Sequence, residues 1–364
     1  MEDLLYKIAI TRIPLVGAVT ARLLISYCGS AQGVFSASKK SLLKIPGIGE
    51  AIVREIRNAA PLKEAEEELL LLDRYGITPL FYLDTGYPER LKSLPDAPII
   101  LYYRGAADLN ARRTIAIVGT RQPSGYGQQL VELLLEQLGP YQPTIFSGLA
   151  YGIDAAAHRG SLDHNLPTVG VLGHGLGLIY PATHRALAER MQAQGGLLSE
   201  FTYKTEPERE HFPMRNRIVA GLSDAVVVVE TGRRGGSLIT VQFAEEYHKK
   251  VFAFPGRITD KTAEGCNWLI KTQRAGLIES AADLTAALGW EEQSKARAQQ
   301  IRLFEDLSAD EEIVLHLLRQ HEQLGVDQLG YGARLNSSAL AATLLELECK
   351  GLVKTLPGKR YTLK

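Results

Sequence analysis

The chain has 364 residues, of which 45% are hydrophobic and 23% charged, and its 41 Lys+Arg balance its 41 Asp+Glu. This length predicts two or three domains, and the balanced charge excludes a global basic field that would attract nucleic acid from a distance. Three scattered cysteines without metal or redox spacing predict reduced thiols in a cytoplasmic protein, and from the charged N-terminus we expect neither a signal peptide nor a membrane span.

The first 75 residues are predicted to form a helical domain that contains an internal repeat. Ile-Pro-x-x-Gly opens both residues 13–25 and residues 45–57, and a helical pattern follows each time. The repeat resembles tandem helix-hairpin-helix (SAM-like) units, in which a glycine turn directs backbone N–H groups at a DNA phosphate. The alternative is a pair of helical hairpins used for packing or partner contact, and the scarcity of positive charge near the turns favours it.

Residues 76–290 alternate β-branched runs with amphipathic stretches, which predicts an α/β domain with a doubly wound parallel sheet. The predicted strands are residues 114–118, 143–147, 167–172, 225–230 and 250–254. The predicted helices between and after them are residues 126–138, 152–162, 183–194, 237–248 and 265–272.

Glycine-rich segments follow four of these strands, at residues 119–121, 147–154, 173–177 and 230–237. Ligands of such sheets bind beyond the carboxyl ends of the strands, where glycines let N–H groups approach an anion. With Arg121, Arg233 and Arg234 nearby, these segments predict an anion-binding trough, whereas simple chain reversal is the alternative for any one of them. Neither a dinucleotide fingerprint nor a Walker A loop is present.

The segment HFPMRNRIVAGLSD, residues 211–224, places Phe212 close to Arg215 and Arg217, with Pro213 at the entry to a helix. An aromatic ring beside arginines suits single-stranded nucleic acid, because a base can stack while the backbone charge is neutralised. The alternative is that Phe212 packs in the core and the arginines are solvated.

Asp154 and His158 lie four residues apart on one predicted helix and can pair there. A third ligand is missing from the pattern, so we expect no metal site.

Residues 291–306 are polar and predict a linker, and residues 307–364 resemble a winged helix. Its predicted helices are residues 309–319, 323–332 and 337–350, followed by a hairpin that turns at Pro357-Gly358. The third helix carries Glu346 and Glu348 and few cations, which favours protein contact over groove binding, while Lys354, Lys359 and Arg360 leave a phosphate contact open for the wing.

Eight ordered motifs in the middle of the chain resemble the DNA-processing protein A (DprA, also called Smf) family. They are VGTRQPSGYG (118–127), SGLAYGIDAAAHRGSL (147–162), VGVLGHGLGLIYPATHRAL (169–187), LLSEF (197–201), HFPMRNRIVAGLS (211–223), GSLITVQFA (236–244), FPG (254–256) and GCNWLI (265–270). Two departures are that Gly235 stands where the family usually has Ser, and that residues 271–276 differ from the usual step after GCNWLI.

The resemblance implies an extended Rossmann-like domain that binds single-stranded DNA without sequence preference and needs no cofactor. It further implies a homodimer that displaces or bypasses single-strand-binding protein and loads the RecA recombinase during natural transformation. Carried over by position and joined with the arginines of residues 211–224, the expected DNA contacts are Arg121, Ser147, Gly148, Phe212, Arg215, Asn216, Arg217, Ser237 and Thr240.

The sequence leaves two other functions as alternatives. Related Rossmann-like phosphoribohydrolases use a PGGxGTxxE loop, but RRGGSLITVQFAEE (residues 233–246) lacks the Gly-Thr step and has Phe243 at the position of the catalytic Glu. We therefore expect that the chain is not an enzyme. The other alternative is a scaffold that binds DNA only through its two ends.

Overall fold

The computed structural model describes residues 2–291, 307–321, 323–356 and 359–363. Its residues divide into two compact units, Met1–Trp290 and Glu291–Lys364. The predicted linker, apart from Glu291, and the predicted Pro357-Gly358 turn lie outside the described residues. The domain boundaries inferred from the sequence stay a prediction. In the described part of the chain, no helix has the length and apolar character needed to cross a membrane.

The N-terminal segment is helical, as predicted. Its helices are α1 Glu2–Ala9, α2 Ala18–Cys28, α3 Ala31–Ser36, α4 Lys39–Leu42, α5 Glu50–Ile56 and α6 Ala60–Arg74, with a short 3-10 turn at Ile10–Arg12.

The two sequence repeats adopt the same backbone conformation. Gly17 and Gly49 are the extended residues before α2 and α5. The third position of each repeat is left-handed, with φ 67° at Leu15 and φ 81° at Gly47. Gly47 adopts this conformation without a steric penalty, whereas Leu15 adopts it at a cost, so the first copy carries backbone strain that the second copy lacks.

The first unit is built on one mixed sheet. Across the described residues its strands are β1 Thr78–Phe81, β2 Ile100–Gly105, β3 Thr114–Val118, β4 Thr144–Ser147, β5 Thr168–Leu172, β6 Gly196–Ser199, β7 Ala225–Val228, β8 Lys250–Ala253 and β9 Gly276–Leu277. The order is β1-β2-β6-β5-β4-β3-β7-β8-β9. Strands β3 to β9 run parallel, and β2 and β1 add an antiparallel edge.

The helices of this unit lie on both faces of the sheet. They are α7 Glu89–Lys92, α8 Gly125–Leu138, α9 Ile153–Asp163, α10 Arg185–Gln194, α11 His211–Gly221, α12 Ser237–Glu246, α13 Glu264–Lys271 and α14 Ala281–Leu288. Along β3, Ala116 and Val118 face one hydrophobic cluster while Ile115 and Ile117 face another. The predicted α/β doubly wound fold is confirmed, since both faces of the central strands are buried.

The strand order reverses at β3. The chain moves from β3 to β4, β5 and β6 on one side, and then returns to the other side with β7 and β8. The carboxyl ends of β3 and β7 therefore open a crevice between them, which is the usual ligand position in open α/β sheets.

The second unit is a winged helix, as predicted. It contains α15 Ala309–Gln320, β10 Leu324–Gly325, α16 Val326–Ala333, α17 Ser337–Cys349, β11 Val353–Leu356 and β12 Arg360–Leu363. Helix α16 starts three residues later than predicted because Leu324 and Gly325 pair with β12. Glu311 caps the start of α15 and accepts from Lys350 Nζ at 2.8 Å, which fastens α15 to the end of α17.

Candidate nucleic-acid interface

A cleft of about 740 Å³ opens at the carboxyl ends of β3, β4 and β7. Most of the predicted DNA contacts line it, namely Arg121, Gly148, Phe212, Arg215, Asn216, Ser237 and Thr240. Three of the four glycine-rich segments thus meet at one place, although they are separated by up to about a hundred residues of sequence. We call this site the cleft.

Arg121 lies on the loop after β3, which is fixed by backbone hydrogen bonds on two sides. Thr120 N donates to Glu230 O at 2.7 Å, and Ile153 N donates to Thr120 O at 3.1 Å. The Arg121 side chain is exposed and has no hydrogen bond or ion pair to any residue that the structure describes. A guanidinium held on a rigid loop and unpaired is available to bind an anion.

Arg215 forms the floor of the cleft. Its side chain is only 4% exposed and donates to Val171 O. Burial lowers the pKa of Arg215 to about 10, against the opposite effect of the Asp154 carboxylate, so Arg215 remains charged at neutral pH. Gly148 lies directly on the guanidinium, and a Cβ there would overlap Arg215 Nη1 and Cζ. The glycine is required because of this close approach.

Asp154 and His158 do not pair with each other; among the described residues each bonds elsewhere. Asp154 Oδ2 accepts from Ala150 N at 3.4 Å, and burial raises the pKa of this carboxyl while Arg215 opposes the shift. His158 Nδ1 lies 2.7 Å from Thr168 Oγ1. The predicted pair was wrong because α9 is buried on the side that carries both residues, where the loop and the neighbouring strand supply the partners.

The Thr168 hydroxyl also lies 3.1 Å from Ile145 O, which can only accept; when the hydroxyl donates to that carbonyl, it accepts from His158 and the imidazole proton is on Nδ1.

An aromatic wall closes the opposite side of the cleft. Phe212 is half-buried, with its ring centroid 5.9 Å from that of Tyr180, and Tyr180 is 51% exposed. Sequence reasoning missed Tyr180 and Arg209, which also line the cleft. The signals were present, because Tyr180 belongs to the YPATHR segment and Arg209 immediately precedes HFPMRN. Phe212 is therefore partly exposed on the wall of the cleft and is not packed in the core.

Ser237 and Thr240 line the wall formed by α12, and both are almost completely buried. Ser237 Oγ donates to Thr231 Oγ1 at 2.7 Å. A Cβ at Gly235 would overlap Thr231 Oγ1, so in this chain a threonine hydroxyl fills the space beside the position where the family usually has Ser.

Two predicted DNA contacts lie outside the cleft lining. The Ser147 hydroxyl is fully buried and donates to Ile117 O at 2.6 Å, which joins β4 to β3. Arg217 forms an ion pair with Glu200 and donates to Asp96 O. The structure assigns both side chains to internal contacts, and the alternative of solvated arginines fails as well, because Arg215 is also buried.

The fourth glycine-rich segment, residues 173–177, is used for packing. Gly175 N donates to Thr205 O and Gly177 N donates to Tyr203 O, each at 2.9 Å. These two N–H groups are therefore bound to the chain after β6, and none of the residues of this segment lines the cleft. Chain reversal, the simpler alternative, is correct for this segment.

Glu230 occupies the N-terminus of α8. Its carboxylate is 5% exposed and accepts from Ser124 N at 2.8 Å and from Ser124 Oγ at 2.5 Å. Dinucleotide-binding sheets place a phosphate at the helix N-terminus after the corresponding strand. Here the Glu230 carboxylate, bonded to the N-cap residue Ser124 and packed against Gly127, already occupies that position. Phe243, at the position of the hydrolase Glu, packs against the core.

The described part of the chain contains no group of three or more His, Cys, Asp or Glu residues that could hold a metal ion.

Three family profiles match the chain. The profile for DNA recombination-mediator protein A matches residues 78–289, that for the DprA winged helix domain matches residues 299–359, and that for a SAM-like helix-hairpin-helix tandem matches residues 8–60. They cover the sheet, the winged helix and the N-terminal repeat in turn.

Similar proteins agree with these profiles. Protein Smf of Synechocystis sp. is 34% identical over 394 residues, which covers 98% of both chains. DNA processing protein DprA of Bacillus subtilis is 39% identical over 244 residues, which covers 65% of this chain and 82% of that protein.

Two solved structures also match. DprA from Streptococcus pneumoniae has a TM-score of 0.64 and 32% identity, and the match covers 79% of this chain and 98% of that one. DNA processing protein A from Helicobacter pylori, described for its single-stranded DNA binding mode, has a TM-score of 0.54 and 28% identity over 59% of this chain and 97% of that one.

Proposed function

This chain belongs to the DNA recombination-mediator protein A (DprA/Smf) family, and on that premise we propose that it binds single-stranded DNA in the cleft and loads the RecA recombinase onto it. Binding is independent of sequence, because a cleft of this kind offers phosphate and stacking contacts rather than a donor pattern matched to base edges.

The observation that carries the proposal is the position of Arg121. It is an unpaired guanidinium, among the described residues, on the rim of a cleft whose floor holds the charged Arg215 and whose far wall exposes Tyr180. The chain has equal numbers of acidic and basic residues, so attraction of a polyanion depends on this local group of charges.

Fluorescence anisotropy with labelled oligo-dT tests the proposal. We expect Arg121→Ala to weaken binding by about 1–3 kcal/mol, the scale of one charge-assisted or stacking contact. Arg112→Ala is the matched control, because Arg112 is also exposed but precedes β3 and so lies at the amino ends of the strands, opposite the cleft. Unchanged affinity in Arg121→Ala, or a preference for duplex DNA, would contradict the site assignment.

Salt dependence tests the phosphate contacts separately. If the cleft neutralises about four phosphates, log K against log salt has a slope near −3, and affinity falls roughly 50-fold between about 50 and 200 mM salt. A slope close to zero would show that bases, rather than phosphates, supply the affinity.

A RecA filament assembly assay tests recombinase loading, and a measurement of molecular mass tests dimerisation. We expect the chain to accelerate RecA filament assembly on single strands covered by single-strand-binding protein, and light scattering to give the mass of a homodimer. A monomer that leaves filament assembly unchanged would restrict the function to DNA binding.

We also propose that the chain acts in the cytoplasm without catalytic activity. Glu230 lies against the first turn of α8 and accepts from Ser124, and Phe243 stands at the position of the glutamate of the related hydrolases. Incubation with nucleoside monophosphates should release no free base, and release of base would favour the hydrolase alternative.

A further inference from the structure

A second depression, of about 480 Å³, adjoins the cleft, and Arg121 lines both. Its other principal side chains are Gln122, Gln128, Tyr151 and Arg159. We call this surface the ledge. Because the Arg121 side chain lines both, the cleft and the ledge are adjacent.

The ledge is built on one face of α9. Gly152, Ala156 and Arg159 line it, and residues at these spacings share one side of a helix. Gly152 has a positive φ of 80°, and a Cβ there would overlap Thr120 O. The loop that carries Arg121 is thus seated on the first turn of α9, which brings Arg121 and Arg159 to the same surface.

The lining of the ledge has the chemistry of a site for a polyanion. Arg121 and Arg159 are exposed, and neither has a hydrogen bond or ion pair to a residue within the described ranges. The lining side chains include arginine, glutamine and tyrosine but no acidic residue among those that the structure describes. Two unpaired guanidiniums in a lining without a carboxylate attract phosphodiester oxygens.

Tyr151 adds an aromatic group to this surface. It is 48% exposed, and its orientation is fixed by an edge contact with His184, with ring centroids 5.2 Å apart and planes at 68°. Thr183 Oγ1 also donates to its hydroxyl at 3.4 Å. An exposed ring held in this way can stack on a base without losing much side-chain entropy.

We propose that the ledge is a second subsite for single-stranded DNA, which binds the nucleotides that extend beyond the cleft on the Arg121 side. Arg159 binds a phosphate and Tyr151 stacks on a base. The inference rests on the proposed function of the cleft, and it adds that affinity depends on strand length through two named residues outside the cleft lining.

The test compares a short oligo-dT of about 6 nucleotides with a long one of about 20 nucleotides, lengths that bracket common single-strand site sizes. We expect Arg159→Ala and Tyr151→Ala each to weaken binding of the long strand about five- to tenfold and to leave the short strand within about twofold. For Arg159→Ala the salt slope on the long strand should also fall by about 0.7. Tyr151→Phe should bind like the unaltered chain.

Matched controls separate the ledge from the cleft and from misfolding. Arg112 is an exposed arginine at the amino end of β3, away from the cleft, and Arg112→Ala should leave binding of both oligonucleotides unaffected. Asn216→Ala, in the cleft, should weaken both. Thermal unfolding followed by circular dichroism should give the ledge variants the midpoint of the unaltered chain.

Three outcomes would overturn the assignment. The first is that the ledge variants weaken binding of the short and the long oligonucleotide equally, and the second is that they weaken binding of neither. The third is that dTMP competes and reduces binding of the long oligonucleotide to the level of Arg159→Ala, since the ledge would then be a mononucleotide site. Failure of the unaltered chain to bind either strand would instead reject the proposed function, and the subsite with it.

Discussion

His158, buried beneath the cleft, makes the stability of this protein depend on pH in a predictable direction. Its imidazole is completely buried, and burial lowers the pKa of His158 from 6.5 to about 3, helped by the nearby guanidinium groups of Arg215 and Arg159. The native state therefore keeps this residue neutral over the whole range in which an unfolded chain would protonate it.

The sign and the size follow from proton linkage. Below about pH 6.5 the unfolded state binds a proton that the native state does not, so the free energy of unfolding decreases as the pH falls towards 3. Above pH 6.5 this contribution is constant. One proton is worth about 1.4 kcal/mol per pH unit, so lowering the pH from about 7 to about 5 removes about 2 kcal/mol.

The assay is urea unfolding at both pH values, with tryptophan fluorescence as the signal. The chain has 2 tryptophans, Trp268 and Trp290, and both belong to the first compact unit, so the signal excludes the winged helix. The comparison variant is His158→Asn, whose amide can still donate to Thr168 Oγ1 but does not titrate. Subtracting the two pH dependences cancels the other titrating groups.

We expect the unaltered chain to lose about 2 kcal/mol more than His158→Asn between the two pH values. An equal loss in both proteins would refute the reasoning, since it would mean that His158 is protonated in the native state or reached by water.

Three further predictions concern stability. Gly148→Ala should destabilise the first unit by about 1–3 kcal/mol, because its methyl group overlaps the buried guanidinium of Arg215, and urea unfolding would show it. Leu15→Gly should stabilise the chain by roughly 0.5–1 kcal/mol, since relief of the left-handed strain exceeds the entropic cost of glycine, and Gly47→Leu should have the opposite sign; identical shifts would contradict the repeat geometry. Arg217→Ala should cost about 3 kcal/mol, because it leaves Glu200, whose side chain is only 12% exposed, without its cation. It should leave oligo-dT affinity unchanged, and weaker binding by the folded variant would return this residue to the DNA site.

The sequence predicted the central fold well because its signals are local. The Val-rich and Ile-rich runs of β3, β5 and β7 are bounded by glycine-containing turns, and their ends lie within one or two residues of the prediction. Strands β1, β2, β6 and β9 were not predicted. Strand β2, with the sequence ILYYRG, does carry a run of strand-forming residues, whereas β1 and β9 lack the signal. Strand β1 contains Pro79 and lies at the sheet edge, and β9 is two residues long.

The site was predicted less completely because side-chain direction depends on the packing around it. Arg215 and Arg217 are two residues apart on α11, so they point to nearly opposite sides of the helix, and only Arg215 reaches the cleft. That divergence was readable from helix geometry. The burial of the Ser147 hydroxyl was not, because it depends on the pairing of β4 with β3, a contact between segments far apart in sequence.

The position of Glu230 bears on whether a nucleotide phosphate can bind at the start of α8. A nucleotide that approached the first turn of α8 would have to expel an anion that is covalently part of the chain and cannot diffuse away. The turn that holds a phosphate in dinucleotide-binding sheets is therefore filled by the protein itself in this chain.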